Sequence, residues 1–154
     1  ADAAELDMAQ AEALLDTVFA PLNRTEGIEP NEVISGVRKV MTQIKYTLYM
    51  EKRRLEEGLD LILKEKEKLD KLVAKDFHYL AIANEARSFV DCAEMHFRTA
   101  ILRQESRGWF VREDYPDRDD ANWLKYINYK LENGSYKIWY EDVPLAEYPF
   151  QPEK

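Results

Sequence analysis

The residues whose types could do chemistry crowd into one stretch, residues 103–125, with the sequence RQESRGWFVREDYPDRDDANWLK. Acidic and basic side chains alternate there with large aromatic ones, and Gly108 and Pro116 interrupt any regular helix. An arginine guanidinium binds a carboxylate through two parallel hydrogen bonds. Arg107 and Arg112 are therefore candidates for holding the carboxylate of a substrate.

A structural interpretation of the same stretch pairs these arginines with acids inside the protein. The acids outnumber the bases in the stretch, and the candidate partners are Glu105, Asp114, Asp119 and Asp120. Charges are costly to bury unless they are paired. We therefore favour internal pairing and assign no catalytic residue to the stretch.

The sequence predicts no metal site and no cofactor site. His78 and His96 are 18 residues apart, which places them about 27 Å apart on one helix, so they cannot bind the same metal ion. The single cysteine, Cys92, falls in an apolar helical pattern and is predicted to be a small buried residue. No Gly-x-Gly-x-x-Gly motif is present, and the five glycines are isolated, so no pyrophosphate-binding loop is predicted.

The composition is typical of one globular domain. The chain has 154 residues, of which 45% are hydrophobic and 12% aromatic, enough to form a core. The net charge is −8, and residues 1–32 contribute −7 of it through eight acids and one base. Because no basic face stands out, binding to nucleic acid or to an anionic membrane is disfavoured.

The sequence also allows expectations about the cellular compartment of the protein. No run of about 18 apolar residues is present, so no membrane span is predicted. The N-terminus is acidic and lacks an apolar block, which argues against a signal peptide. The lone cysteine is typical of a reducing cytoplasm.

The chain is predicted to begin with an arm. Residues 2–22 have the composition of a helix, with Asp2 as its cap and Glu5 completing a capping box. A loop around Gly27 follows. We interpret residues 1–29 as a linking arm and residues 30–154 as the domain.

Helical periodicity continues through the first half of the domain. Apolar residues recur at steps of three and four through residues 30–74, which predicts either one helix or two. A further helix is predicted over residues 77–104, with Asp76 as its N-cap.

The C-terminal third is aromatic and has a different pattern. Residues 123–131 and 136–142 alternate in polarity around Asn133-Gly134, which predicts a β-hairpin. Residues 143–154 contain three prolines and are expected to form an extended tail. The predicted fold class is mostly α: an antiparallel bundle of about three helices, a charged loop, a β-hairpin and an extended tail. The three tryptophans are expected to fill the core or a domain interface.

The charged stretch resembles the C-terminal region of the succinate dehydrogenase and fumarate reductase flavoprotein family. The family pattern is matched over residues 105–108, 112–116, 119–120 and 122–125. The residues of this motif that we expect to contact other domains are Glu105, Ser106, Arg107, Gly108, Arg112, Asp114, Asp119, Asp120 and Trp123. Related patterns occur in L-aspartate oxidase and in the alpha subunit of adenylylsulfate reductase, so the motif indicates a superfamily more surely than a reaction.

The resemblance covers roughly residues 30–131 and departs from the family in two places. Trp109 and Phe110 stand where succinate dehydrogenases usually have a small residue and a histidine. The hairpin and tail are closer to members similar to fumarate reductase or adenylylsulfate reductase.

The resemblance implies that the chain is the C-terminal helical domain of a larger FAD-dependent oxidoreductase. Family members bind FAD and their substrate in flavin and capping domains that precede this region, so no residue here inherits a catalytic role. The implied partners are those two domains and an iron–sulfur subunit. The implied location is the cytoplasm, with attachment through partner subunits to the inner face of the membrane as an alternative. The chain alone is expected to be inactive and to self-associate.

A different class of function also fits the sequence. Amphipathic helices and an acidic arm would suit a free-standing helical interaction module that has no enzymatic parent. The coding sequence upstream of Ala1 distinguishes the two hypotheses.

Overall fold

The computed structural model describes residues 7–132 and 135–149. The helices and strands in chain order are α1 (Met8–Phe19), α2 (Pro30–Met41), α3 (Ile44–Thr47), α4 (Lys52–Lys66), α5 (Phe77–Leu102), α6 (Asp120–Trp123), β1 (Lys125–Glu132) and β2 (Ser135–Asp142). The predicted fold class, mostly helical with a C-terminal hairpin, is confirmed.

The core lies where α2, α4 and α5 pack against one another. The side chains that are fully buried there include Val33, Val37, Leu55, Ile62, Ala83, Ala86, Val90 and Phe97. The alanines of α5 have small side chains, which let the neighbouring helices approach closely. Burying each larger apolar side chain contributes about 1.5–3 kcal/mol to stability.

Residues 30–74 form two main helices rather than one. The chain leaves the helical path after Met41, makes the single turn of α3 and enters α4 at Lys52. Backbone bonds to the charged loop hold this break, because the Met50 N–H donates to the Val111 carbonyl and the Glu113 N–H donates to the Met50 carbonyl. The sequence carries no loop signal at this point because the cause is a contact with residues about 60 positions away.

The N-terminal helix is shorter than predicted. It begins at Met8, and Asp7 caps it by accepting a hydrogen bond from the Gln10 N–H at 3.1 Å. The predicted cap residues Asp2 and Glu5 lie outside the described residues. No residue of α1 is buried within the described part of the chain, so this helix lies outside the core.

The segment after α1 is fixed to the bundle by hydrogen bonds. Ile28 exchanges backbone bonds with Lys71 and Val73, at 2.8 and 3.1 Å. The Ala74 N–H donates to the Pro21 carbonyl, and Arg24 Nη1 donates to the carbonyl of Leu72. Residues 21–28 therefore run along residues 71–74, and the division of the chain at residue 29 stays a prediction.

The long helix α5 matches its prediction closely, except at Cys92. Asp76 is its N-cap, because its carboxylate accepts the Tyr79 N–H at 2.9 Å. Cys92 was predicted to be buried, but it is exposed. It lies two positions from the buried Val90, which places it on the opposite side of the helix, where nothing packs. Phe77, at the first position of the helix, is 73% exposed.

Strands β1 and β2 form the predicted antiparallel hairpin. Its register runs from Lys125 opposite Asp142 to Glu132 opposite Ser135. The predicted turn residues, Asn133 and Gly134, lie outside the described residues. The tail was predicted to be extended, but Leu145–Glu147 forms a 3-10 turn closed by short-range backbone bonds.

Two glycines inside helices offer a test of the packing. A Cβ on Gly58 would lie 2.4 Å from the ring of the buried Phe97, whereas one on Gly36 would meet only the terminal carboxylate of Glu65. We expect Gly58→Ala to lower the free energy of unfolding by about 1–3 kcal/mol, because overpacking outweighs the better helix propensity of alanine. Gly36→Ala is the matched control and should be neutral or stabilising. Urea denaturation measures both, and equal effects would contradict the proposed packing.

Candidate functional site: the charged loop

The guanidinium of Arg112 is fully buried at the centre of the charged loop, residues 103–125. Its Nε and Nη2 donate to the two carboxylate oxygens of Asp114, each at 2.7 Å. Its Nη1 donates to the carbonyls of Ala100 and Arg103, at 2.6 and 2.8 Å. These carbonyls lie at the end of α5, where a helix leaves its last acceptors unpaired and where a positive charge is stabilising.

Asp114 connects this arginine to the start of a second helix. One of its carboxylate oxygens accepts the N–H of Lys52, the first residue of α4, at 2.9 Å. A carboxylate in this position satisfies a free N–H and complements the positive end of the helix dipole. Arg112 and Asp114 together therefore hold the end of α5 beside the beginning of α4.

Glu105 is the second fully buried charge, and it accepts four hydrogen bonds. Arg107 donates to it from Nε and Nη2, each at 2.9 Å. The other two donors are Arg103 Nη1 and the backbone N–H of Asp119, the latter at 3.0 Å. Both oxygens of this carboxylate are occupied, so it serves as a fixed anchor for the loop.

Asp120 extends the network towards the surface. It accepts Arg107 Nη2 at 2.6 Å and Arg118 Nε at 2.8 Å. Asp119, the preceding residue, caps the short helix α6 by accepting the Asn122 N–H at 3.1 Å. The loop therefore ends in a helical turn whose orientation is set by its own carboxylates.

Ser106 and Gly108 shape the backbone of the loop. The Ser106 hydroxyl accepts the Arg112 N–H at 2.8 Å and donates to the Tyr115 carbonyl at 2.8 Å. Gly108 has φ of +58°, a conformation that side chains disfavour, in a turn closed by two backbone bonds between Arg107 and Phe110. This turn holds Trp109 away from the body, and the indole is 90% exposed rather than in the core.

Trp123 joins the loop to the hairpin. Its ring meets Tyr140 edge to face, with 5.9 Å between centroids, and the Arg103 guanidinium lies 5.7 Å from the indole. Arg103 also donates to the carbonyls of Trp123 and Lys125, each at 2.9 Å. One arginine thus binds Glu105 and fixes the first residue of β1.

The paired carboxylates have lowered pKa values. For Asp114 the main cause is the hydrogen bond from Arg112, and for Asp120 the bonds from Arg118 and Arg107 lower the pKa to about 2. Burial alone would raise the pKa of Glu105, but its bonds from Arg107, the Asp119 N–H and Arg103 outweigh burial and lower it. All three groups are therefore ionised near neutral pH.

The structure brings the predicted arginines and acids together in internal pairs. Arg112 is fully buried, and both oxygens of its partner Asp114 are already used. Arg107 keeps 29% of its side chain exposed but uses two of its nitrogens on Glu105 and Asp120. This geometry favours the structural interpretation over substrate binding, and contacts of these residues with other domains stay a prediction.

Sequence reasoning missed one buried charge network, centred on Glu94 of α5. Glu94 is 1% exposed and accepts Lys66 Nζ at 2.6 Å and Arg98 Nε at 2.8 Å. The Tyr136 hydroxyl donates to it and accepts from Lys66, each at 3.1 Å, which ties β2 to α4 and α5. The sequence did contain a signal for this network. Glu94 lies four residues after Val90 and three before Phe97, so helical spacing places this acid on the apolar side of α5.

The described residues do not fit a metal ion or FAD. Among residues 7–132 and 135–149, no three His, Cys, Asp or Glu side chains lie close enough to hold a metal. A pyrophosphate needs a helix N-terminus with free N–H groups. The N-termini of α1, α4 and α5 are instead occupied by the carboxylates of Asp7, Asp114 and Asp76, and α2 begins at a proline, which has no N–H, with Glu29 and Glu32 beside it.

Truncation of the two central arginines should have unequal effects. Arg112→Ala leaves the carbonyls of Ala100 and Arg103 without this donor and removes the two bonds to Asp114, so it should lower the free energy of unfolding by about 2–4 kcal/mol. Arg107→Ala should cost less, about 1–3 kcal/mol, because Arg103 still binds Glu105. Urea denaturation measures the loss in free energy of unfolding for each variant and so ranks the two arginines. Arg53→Ala is the control and should cause little loss, because that side chain is 87% exposed. The reverse order would contradict the central role of Arg112.

The lowered carboxyl pKa values predict loss of stability in acid. A group whose pKa is lower in the folded state stabilises the protein above its unfolded-state pKa. The free energy of unfolding should therefore stay level above about pH 5 and fall as the pH drops through about 4, where an unfolded Glu or Asp is protonated. The Glu105→Gln variant should have a lower free energy of unfolding than the unsubstituted chain at pH 7. The difference between the two free energies, here called the gap, should be smaller at pH 3. Circular dichroism during urea titration at each pH measures the gap, and a gap independent of pH would refute the assignment.

Comparison with known proteins places this geometry in a family. Residues 36–154 match the family model described as "Fumarate reductase flavoprotein C-term". The succinate dehydrogenase flavoprotein subunit of Coxiella burnetii is 33% identical over 90% of this chain and 25% of its own. The fumarate reductase flavoprotein subunit of Haemophilus influenzae is 28% identical over 99% of this chain and 27% of its own.

A solved structure has the same fold. Adenylylsulfate reductase from Archaeoglobus fulgidus superposes with a TM-score of 0.81 at 26% identity, over 96% of this chain and 27% of that one. The chain thus spans about a quarter of the length of the proteins it matches. Since the family model covers most of the chain, the protein belongs to the family of fumarate reductase flavoprotein C-terminal domains.

Proposed function

We propose that this chain is the C-terminal helical domain of an FAD-dependent oxidoreductase and that it braces the flavin and capping domains of that enzyme. The observation that carries the proposal is the family match over residues 36–154, combined with the share of each relative that the chain covers. The internal pairing of the charged loop agrees with it, because a brace needs a rigid surface and no free catalytic group.

The proposed parent reaction is hydride transfer between flavin and a small dicarboxylate such as succinate or fumarate. Two curated relatives named for these substrates support it. The similarity to adenylylsulfate reductase supports an alternative parent reaction. FAD would be held outside this chain, since the N-termini of the four longer helices α1, α2, α4 and α5 have acidic side chains beside them.

The proposed partners are the flavin and capping domains and an iron–sulfur subunit of the parent complex, in the cytoplasm or at the inner face of the membrane. No helix among the described residues is long and apolar enough to cross a membrane. The proposed contact with a membrane is through partner subunits.

Helix α1 is the proposed contact with the rest of the enzyme. Leu14 and Leu15 are 58% and 55% exposed, and Val18 and Phe19 on the same side are 39% and 40% exposed. An isolated helix of 12 residues is marginally stable in water, so it gains stability only by packing on another surface. The same exposed apolar side predicts that the chain self-associates when it is expressed alone.

A pair of matched double variants tests the bracing role. In the longer protein encoded upstream of Ala1, we expect Leu15→Asp with Val18→Asp to lower the temperature at which flavin fluorescence appears on heating. Ala9→Asp with Ala13→Asp adds the same charge on the opposite side of α1 and should have little effect. Neither pair should change the melting temperature of the 154-residue chain at concentrations where it is monomeric, because no residue of α1 is buried within its described part.

Two outcomes would contradict the proposed function. One is a purified 154-residue chain that carries the visible absorbance of a flavin. The other is an upstream reading frame that stops just before Ala1 or lacks a Gly-x-Gly-x-x-Gly motif, which would favour a free-standing interaction module.

A further inference from the structure

An open cleft of 380 Å³ lies between the end of α5, the charged loop and the start of β1. This volume is at the lower end of the range typical of small-molecule sites. Phe110 and Ile127 contribute apolar surface, and Arg103, Arg107 and Lys125 contribute positive charge. No carboxylate is among the described residues that line it. Neither Arg112 nor Asp114 is among the residues that line the cleft.

Several hydrogen-bond donors at the cleft are not used within the described residues. Lys125 is half-buried on β1 and has no ion pair there, and Nη1 of Arg107 donates no hydrogen bond. His96 also lines the cleft, and its buried Nε2 has no hydrogen-bond partner. Burial lowers the pKa of His96, so its imidazole is neutral near pH 7 and can accept or donate one hydrogen bond.

The charge at the cleft is not fully compensated. Glu105 lies behind it and neutralises one of the three lining cations, while Asp120 is shared between Arg107 and Arg118. Asp142 lies opposite Lys125 on β2, but the two make no ion pair within the described residues, so the Lys125 ammonium can bind an anion. An anionic group next to apolar surface is therefore the chemistry that fits.

We propose that this cleft binds the carboxylate of an organic acid, with Lys125 and Arg107 as donors and the apolar part of the acid against Phe110 and Ile127. The carboxylate comes either from a free small molecule or from an acidic side chain of a neighbouring polypeptide. The existence of the site does not depend on the proposed function, because it concerns side chains of this chain alone; only the experiment that separates the two sources rests on it.

Titration of the 154-residue chain with benzoate tests the proposal. We expect saturable amide chemical-shift changes at Lys125, Ile127 and Phe110 in nitrogen-15 spectra. Benzamide has the same shape without the charge and should produce no saturable shift. Chloride at matched ionic strength controls for non-specific screening.

Two lysines on the same strand provide the matched variants. Lys125→Ala should weaken benzoate binding about tenfold, the effect of losing one charge-assisted hydrogen bond. It leaves the bond from Arg103 to the Lys125 carbonyl intact, because that bond uses the backbone. Lys130→Ala removes an exposed lysine that pairs with Glu132 and should leave the affinity unchanged.

The same titration in the longer protein distinguishes the two sources. Shifts in both proteins indicate a site for a free acid, whereas shifts only in the 154-residue chain indicate that an acidic side chain of the longer protein fills the cleft. Either result supports a carboxylate site. The proposal is overturned if benzoate gives no saturable shift at these amides, if benzamide binds equally, or if the two lysine variants behave alike.

Discussion

The buried guanidinium of Arg112 is the interaction on which the arrangement of this domain depends. A helix end leaves carbonyls without partners, and a helix start leaves N–H groups without partners. Arg112 satisfies carbonyls at the end of α5, and Asp114, which it binds, satisfies an N–H at the start of α4. One ion pair therefore fixes two helix ends that are far apart in sequence, and the burial of Arg112 makes any arrangement that leaves this arginine unpaired costly.

The two other buried charges, Glu105 and Glu94, connect further pairs of elements in the same way. Glu105 collects Arg103 and Arg107 and sets the path of the loop into β1. Glu94 collects Lys66, Arg98 and Tyr136 and holds β2 against the helices. The dense charge that first suggests an active site therefore serves to join elements, and the donors left over lie at the edge of one cleft.

The parts of the structure that sequence predicted depend on neighbours in the chain. Helix α5 was visible because its apolar residues recur at helical steps and Asp76 caps it locally, and the hairpin was visible because two alternating segments flank Asn-Gly. The break between α2 and α4 could not be predicted, because Met50 is held by backbone bonds to Val111 and Glu113, which lie about 60 residues later in the sequence. The buried position predicted for Cys92 was wrong because periodicity alone did not show which side of α5 is covered.

The sequence by itself determined the family, the helical class, the hairpin and the set of charges available for pairing, because these follow from residue types at short spacing. Only the tertiary structure decided which charge pairs with which, that Arg112 is buried while Trp109 is exposed, and that Glu94 belongs to the core. The physical reason is that burial and pairing are properties of surfaces brought together by folding. The charged loop could be recognised from its sequence as the signature of a family, but its role as a joint depends on contacts with α4, α5 and β1.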